Sequence, residues 1–413
     1  MAEKRSNLMT KAPLLPVSDA LARILAPARP LGMELVPLSQ AADRTLAEDV
    51  IARRTQPPFD ASAMDGYAVR AEDIATVPAR LDVVGESAAG TAFAGTVQPG
   101  QAARIFTGAP VPQGADTVVL QETTRRDGIN ISVEQSEPLG RHIRKAGLDF
   151  AQGQALLQKG LRLNANRVAL AAAMNHPALP CTRRPRVAIL ATGSELVAPG
   201  AEPGPDQIVA SNSFAVAIMA EKAGAEVFDL GIVADDLALL RAAIAKARDA
   251  KADILVTLGG ASVGDHDLVQ QALHAEGMTL DFWKLALRPG KPLMHGMLGG
   301  LHVLGLPGNP VSAIVCSKLF VVPLIRALSG DPDAADDHSE PARLAVPVKA
   351  NDFRQDYLRA TLTERADDLP RVTPHGLQDS SMLRVLAEAQ CLLIRVPHAA
   401  AADAGDLCRI IRL

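Results

Sequence analysis

A basic face, a pair of neighbouring cysteines and an unbroken apolar run are all missing from this sequence. Its 42 Lys and Arg are outnumbered by 46 Asp and Glu, for a formal charge of −4. A nucleic-acid surface needs a basic stripe to neutralise phosphates, so that class is excluded and any anion site must be local. The four cysteines, Cys181, Cys316, Cys391 and Cys408, lie far apart with no CxxC spacing. Neither a disulfide framework nor a cysteine zinc site follows. They read as small buried hydrophobes in a reducing compartment, with the cytoplasm as the expected location. The longest apolar stretch, Val311 to Leu328, is interrupted by Lys318, Pro323 and Arg326, and the N-terminal MAEKRSNLMTKAPLLP has no sustained apolar segment. No membrane role and no secretory signal are expected.

Familiar catalytic signatures are absent as well. PGKP (residues 289–292) lacks the upstream glycine and following Ser or Thr of a Walker A loop, and no GxGxxG follows a strand. There is no GxSxG elbow and no HExxH helix. The nine histidines are scattered, and His266 and His295 read as surface or structural residues.

What is present is ordinary globular composition, 48% hydrophobic and 21% charged, over 413 residues. That length implies roughly three domains. Helical patterns are expected at Ser18–Leu25 and Ser39–Val50, each with a serine placed as a cap, and at Asn164–Asn175. Between Arg53 and Phe150 the texture turns to Val, Thr and Gly with frequent turns, which reads as short strands. From Arg186 onward, RVAILATG, EVFDLGIV, ADILVTLGG and LHVLGLPGN are apolar runs ending in glycine or a polar turn. Helical segments alternate with them near 213–223, 236–250, 267–276 and 310–328, the βαβ rhythm of a mainly parallel sheet. A breaker-rich acidic stretch, Ser329 to Arg343, precedes a last strand-rich block. The expected class is therefore multi-domain α/β: a three-layer α/β domain at 181–330, a β-rich insert at 54–149, a small discontinuous helical domain from 1–53 and 150–180, and a C-terminal β-domain at 338–413.

In open α/β sheets ligands bind beyond the carboxyl ends of the strands. Here the four runs lead into Thr192–Glu195, Asp235–Asp236, Gly259–Asp267 and Leu306–Pro310. Glycines there permit close backbone approach, and helix N-termini offer N–H groups to a phosphate. Glu195, Asp235, Asp265 and Asp267 put carboxylates on the same rim. They would repel a phosphate unless a hard cation such as Mg²⁺ lay between. Asp236 and Asp267 are equally placed to cap the helices they precede. Lys284, Arg288 and Lys291 in FWKLALRPGKP add cations suited to a tetrahedral oxyanion, although such clusters are commonly solvated faces. The residues alone thus reach a metal-assisted enzyme acting on a phosphorylated small molecule, and go no further.

Longer motifs carry a resemblance. PPFDASAMDGYAVR (57–70), RIFTGAPVPQGAD (104–116), ILATGSELV (189–197), GGASVGDHD (259–267), KLALRPGKP (284–292) and GLPGNPVSA (305–313) resemble, in this order, the molybdopterin molybdenumtransferase family, to which the C-terminal domain of gephyrin belongs. The resemblance implies Mg²⁺-dependent insertion of molybdate into adenylylated molybdopterin, with release of AMP and formation of the molybdenum cofactor. It implies an elongated homodimer whose active site draws on the partner subunit, with a molybdopterin adenylyltransferase and cofactor-accepting apo-enzymes as further partners. Catalytic positions carried over are Asp60, Thr107, Asp149, Glu195, Asp235 and Asp267, with Glu195, Asp235 and Asp267 as metal ligands. Ser262 matches a nucleotide contact; Lys284, Arg288, Lys291, Ser312, Arg359 and Ser380 match the cofactor and molybdate pocket, beside Pro307 and Pro310.

The sequence departs from the usual pattern at Ala61, where Asn is common, at Leu148, which replaces an acid, and at Arg288, which replaces a frequent lysine. For Asp60 an Asx-type turn after Pro57-Pro58 is the competing reading. Three other functions remain open. An adenylyltransferase shares the α/β domain but usually carries Gly-Gly-Thr-Gly where this chain has Gly259-Gly260-Ala261-Ser262, and a nucleotide amidase relative is a more distant variant. A noncatalytic cofactor-binding scaffold is the third, opposed by retention of Asp60, Asp235, Asp267 and Lys291.

Overall fold

The computed structural model describes residues 14–260, 268–365 and 368–413. Two compact units emerge, one formed by Leu35–Ala42 and Leu46–Cys181, the other by Met1–Glu34, Asp43–Thr45 and Thr182–Leu413. In the second, helix α1 (Val17–Leu25) buries Val17, Ala20 and Ile24, one stripe at helical spacing. Pro16 rather than a serine stands at its N-cap, so Ser18 is not the expected cap.

The first unit is mainly β. Strands β1 (Gly66–Val69), β2 (Ala79–Ser87), β3 (Gln101–Ile105), β4 (Thr117–Leu120), β5 (Thr124–Asp127) and β6 (Asn130–Val133) form one sheet in the order β4-β1-β3-β2-β6-β5. Helix α2 (Ala165–Ala173) starts where expected: the Asn164 side chain accepts from the Arg167 amide at 3.0 Å. The helix expected at Ser39–Val50 does not form. Only a single 3-10 turn, Leu38–Gln40, appears, and Asp43 sits at φ +62°, which a right-handed helix cannot contain.

The α/β layer of the second unit follows the predicted rhythm. Strand β7 (Arg186–Thr192) leads to α3 (Asn212–Lys222), β8 (Glu226–Val233) to α4 (Leu237–Asp249), and β9 (Ile254–Leu258) to α5 (Leu268–Ala275). After β10 (Thr279–Trp283) and β11 (Leu287–Arg288) come β12 (Met294–Leu298), β13 (Leu301–Leu306), α6 (Pro310–Cys316) and α7 (Val322–Leu328). The sheet order is β8-β7-β9-β13-β12-β10. Its first four strands are parallel, and β12 and β10 add an antiparallel edge.

Alternate residues of β7 face opposite layers, so Val187 and Ile189 pack with α3, α6 and α7, while Ala188 and Leu190 pack with α4 and α5. Each fully buried aliphatic side chain contributes about 1.5–3 kcal/mol. The 19-residue run Pro310–Leu328 has the length and hydropathy of a membrane span, yet 67% of it is buried here as the helix of a core. Pro323 lacks an N–H for the helix ladder, and a π turn at Ser317–Val321 precedes it.

The last block contains β14 (Glu340–Leu344), β15 (Gln355–Thr363), β16 (Arg371–Pro374), α8 (Leu383–Glu388), β17 (Cys391–Arg395) and β18 (Leu407–Arg412). Their order, β15-β16-β14-β18-β17 with β17 returning to β15, closes a barrel. Strand β11 pairs in parallel with β15 from outside this ring, tying the α/β layer to the barrel.

Candidate active site

The loops after the parallel strands enclose a cleft of about 760 Å³. Its wall includes Glu195 after β7, Asp235 after β8, Gly259 and Gly260 after β9, and Pro307 to Pro310 after β13. A cleft therefore lies where the strand-end rule expects one. Gly259 has φ +99°, and a Cβ there would stand 2.6 Å from the Thr192 carbonyl oxygen, so the β7 and β9 ends approach as only glycine allows. Ser262, Asp265, His266 and Asp267 lie outside the described residues.

Asp235 and Ser194 hold each other: the Ser194 hydroxyl accepts from the Asp235 amide at 3.1 Å, and the Asp235 carboxylate accepts from the Ser194 amide at 3.3 Å. Neither Glu195 nor Asp235 pairs with a basic side chain among the described residues. Two unneutralised carboxylates supply oxygen donors of the kind a hard divalent cation takes, but no group of three metal-ligating side chains gathers among the described residues. Asp236, in contrast, caps α4 by accepting from the Leu239 amide at 2.9 Å, which supports the structural reading of that residue.

Opposite these acids, Ser211, Asn212 and Ser213 at the start of α3 line the cleft. Among the described residues no side chain caps this helix, so its first N–H groups stay available to an anion. The Asn212 amide donates to the Gly308 carbonyl at 2.7 Å and fixes the Pro307–Pro310 loop against α3. Sequence reasoning passed over Asn212, although the Ser-Asn-Ser run before an apolar helix was a visible signal.

Of the segment that carries the cationic residues only Pro292 lines this cleft; Lys284, Arg288, Lys291 and Arg359 are not part of its wall. The amides of Lys284 and Leu285 donate to the carbonyls of Leu293 and Lys291, at 3.1 and 2.8 Å, closing a loop whose Pro292 reaches the cleft. Gly290 within it, at φ +116°, rests on Cys316; a Cβ would meet the Sγ at 2.5 Å. The Lys284 ammonium lies 4.1 Å above the Trp283 ring centre. Lys291 is exposed. Arg288 engages two carboxylates, Asp356 and Asp352.

Arg359, on β15, is only 1% exposed and donates through Nη2 to the Asp379 carbonyl at 3.0 Å. Burial lowers its pKa, but a guanidinium remains charged. Its Nε has no partner among the described residues, and a buried cation with an unfilled N–H fits an oxyanion. The Ser380 carbonyl accepts from the Val311 amide at 3.1 Å, and Ser381 lines the cleft, so the Asp379–Ser381 turn joins Arg359 to the cleft wall. Ser312, 4% exposed within α6, is not part of that wall.

Asp60, Thr107 and Asp149 fall in the other unit. Phe59 and Asp149 line a cavity there of about 640 Å³ together with Arg54, Arg144 and Leu148. Asp60 makes no Asx turn. Its carboxylate accepts from Lys145 at 2.7 Å and from the Ala146 amide at 2.9 Å, 85 and 86 residues away, and these bonds hold its pKa below the usual range. Asp65, unremarked in the sequence reading, accepts from both the Thr107 amide at 2.7 Å and its hydroxyl at 2.8 Å. It sits inside the quoted AMDGYA motif, but only the fold reveals its partner.

The family descriptions that match the chain cover nearly all of it. The MoeA N-terminal region (domain I and II) matches residues 15–175, a probable molybdopterin binding domain matches 188–327, and the MoeA C-terminal region (domain IV) matches 341–413. Molybdopterin molybdenumtransferase 2 of Mycobacterium tuberculosis is 37% identical over 382 residues, covering 90% of this chain and 92% of that one. The molybdopterin molybdenumtransferase of Haemophilus influenzae is 35% identical, covering 92% and 94%. A solved molybdopterin biosynthesis MoeA protein of Pyrococcus horikoshii superposes with a TM-score of 0.81 at 31% identity, over 97% of this chain and 99% of that one. With motif order, fold and full-length similarity all agreeing, the chain belongs to the molybdopterin molybdenumtransferase (MoeA) family.

Proposed function

We propose that this protein inserts molybdate into adenylylated molybdopterin, releasing AMP and yielding the molybdenum cofactor. The observation that carries the reading is one continuous wall in which the acidic rim of Glu195 and Asp235 and the uncapped start of α3 adjoin the turn that holds buried Arg359. A nucleotide phosphate suits the glycine-lined rim, and a tetrahedral dianion suits the cationic end.

Glu195 and Asp235, with Asp267 by family position, would hold Mg²⁺, which supplies Lewis-acid polarisation of a phosphoanhydride. The chain's own contribution is positional. Ser194 fixes Asp235, Asn212 fixes the loop beside the phosphates, and Arg288, Lys291 and Arg359 bind the oxyanion. We further propose a cytoplasmic homodimer, supported by exposed Phe214 and Ile218, 53% and 52% accessible and one turn apart on α3.

The test is purified protein with adenylylated molybdopterin, Mg²⁺ and molybdate, following AMP release and cofactor formation. Both are expected, and Asp235→Asn should slow them about 100-fold, roughly 3 kcal/mol of barrier. Consumption of ATP with bare molybdopterin would mark an adenylyltransferase instead. Binding without AMP release would mark a scaffold.

A further inference from the structure

We propose that Asp356 is the positioning residue for Arg288, fixing its guanidinium so that the free N–H edge is presented to the oxyanion. The inference rests on the proposed reading of Arg288 as an oxyanion ligand. Strands β11 and β15 pair in parallel with Arg288 opposite Asp356, so the two side chains are set side by side by backbone register. The Arg288 Nε donates to Asp356 Oδ1 at 2.9 Å. Its Nη2 lies 2.9 Å from Asp352 Oδ2.

The two carboxylates are not equivalent. The Asp356 side chain is 10% exposed and that of Asp352 38%. Asp352 is also bound by Arg354, through the backbone amide at 2.9 Å and Nη2 at 2.8 Å, so its charge is shared. Among the described residues Asp356 has Arg288 as its one ion-pair partner. Its burial makes it a fixed point, whereas Asp352 is a rim group that can yield to an incoming anion.

A guanidinium has five N–H donors in a planar fork. With Nε and one Nη2 hydrogen engaged, the Nη1 edge has no partner among the described residues and remains for a ligand. This gives a physical reason for arginine where the family commonly has lysine, because an ammonium has no second edge to clamp.

Charge and geometry predict opposite signs for loss of Asp356. Removing a carboxylate near a dianion site should tighten binding if charge dominates. Losing the clamp on a half-exposed arginine should weaken it if orientation dominates, and orientation is expected to win because the buried pair is already neutralised locally.

Molybdate and tungstate binding by calorimetry, and molybdate dependence of cofactor formation, test this in the intact protein. Asp356→Ala should raise the half-saturating molybdate about tenfold, leave the rate at saturation within about twofold, and leave the dependence on adenylylated molybdopterin unchanged. Asp356→Asn, whose amide oxygen still accepts from Nε, should recover most of the affinity and also controls for folding. In an Arg288→Ala background, Asp356→Ala should have no further effect. Equal or tighter molybdate binding by Asp356→Ala overturns the proposal alone. Unchanged molybdate dependence in Arg288→Ala overturns it together with the reading of Arg288.

Discussion

His295 and His302 each leave one ring nitrogen without a partner inside the α/β layer, at 1% and 3% exposure with ring centres 6.1 Å apart. The Asp281 carboxylate accepts from His295 Nδ1 at 3.0 Å and also pairs with Arg23. Burial pushes both imidazoles below 6.5, His302 to about 4. Both are therefore neutral in the native state near neutrality. Below about pH 6.5 the unfolded chain takes up protons that the folded chain refuses, so stability falls with falling pH until about pH 4. For His302 alone the loss is about 3 kcal/mol. Asp281, whose pKa is lowered, loses its contribution only in a more acidic window. Urea unfolding of His302→Leu should show a shallower decline between pH 6.5 and 4.5; an unchanged slope would remove burial of this ring as the cause.

At the scale of elements, the turn joining β11 to β12 depends on one close contact. Gly290→Ala puts a methyl group 2.5 Å from Cys316 Sγ and 3.0 Å from Leu287 Cδ2, at a φ of +116°. A loss of about 1–3 kcal/mol is expected, seen as a lower thermal midpoint, with weaker molybdate binding. Adding Cys316→Ala should restore part of that loss; no recovery would show that the clash is not the reason. The parallel strands were legible because both faces are covered, which leaves near-continuous apolar runs such as Arg186–Thr192. Ser39–Val50 misled because Ala41, Leu46 and Val50 are all buried, yet by a turn and an extended segment rather than one helical face. The acid rim was legible because chemistry follows strand ends. The partners of Thr107 and Arg288 were not, since Asp65 and Asp356 reach them across 42 and 68 residues through strand register that no local pattern encodes.

For the whole molecule, the proposed homodimer has a consequence that mixing can expose. Asp60→Asn and Asp235→Asn chains, each expected to be strongly slowed, should recover about a quarter of full activity when unfolded together and co-refolded, since half the dimers are then mixed and each holds one intact site. No recovery between two variants that both dimerise would mean that every site is built from a single chain. The sole tryptophan of the 413 residues, Trp283, carries the Lys284 ammonium 4.1 Å above its ring. Indole emission from this protein therefore arises from one place, beside the turn that leads to Arg288 and Lys291. The chain carries its own optical probe there: any ligand that draws the ammonium off the ring changes the colour and yield of a single fluorophore, with no label and no background from a second one.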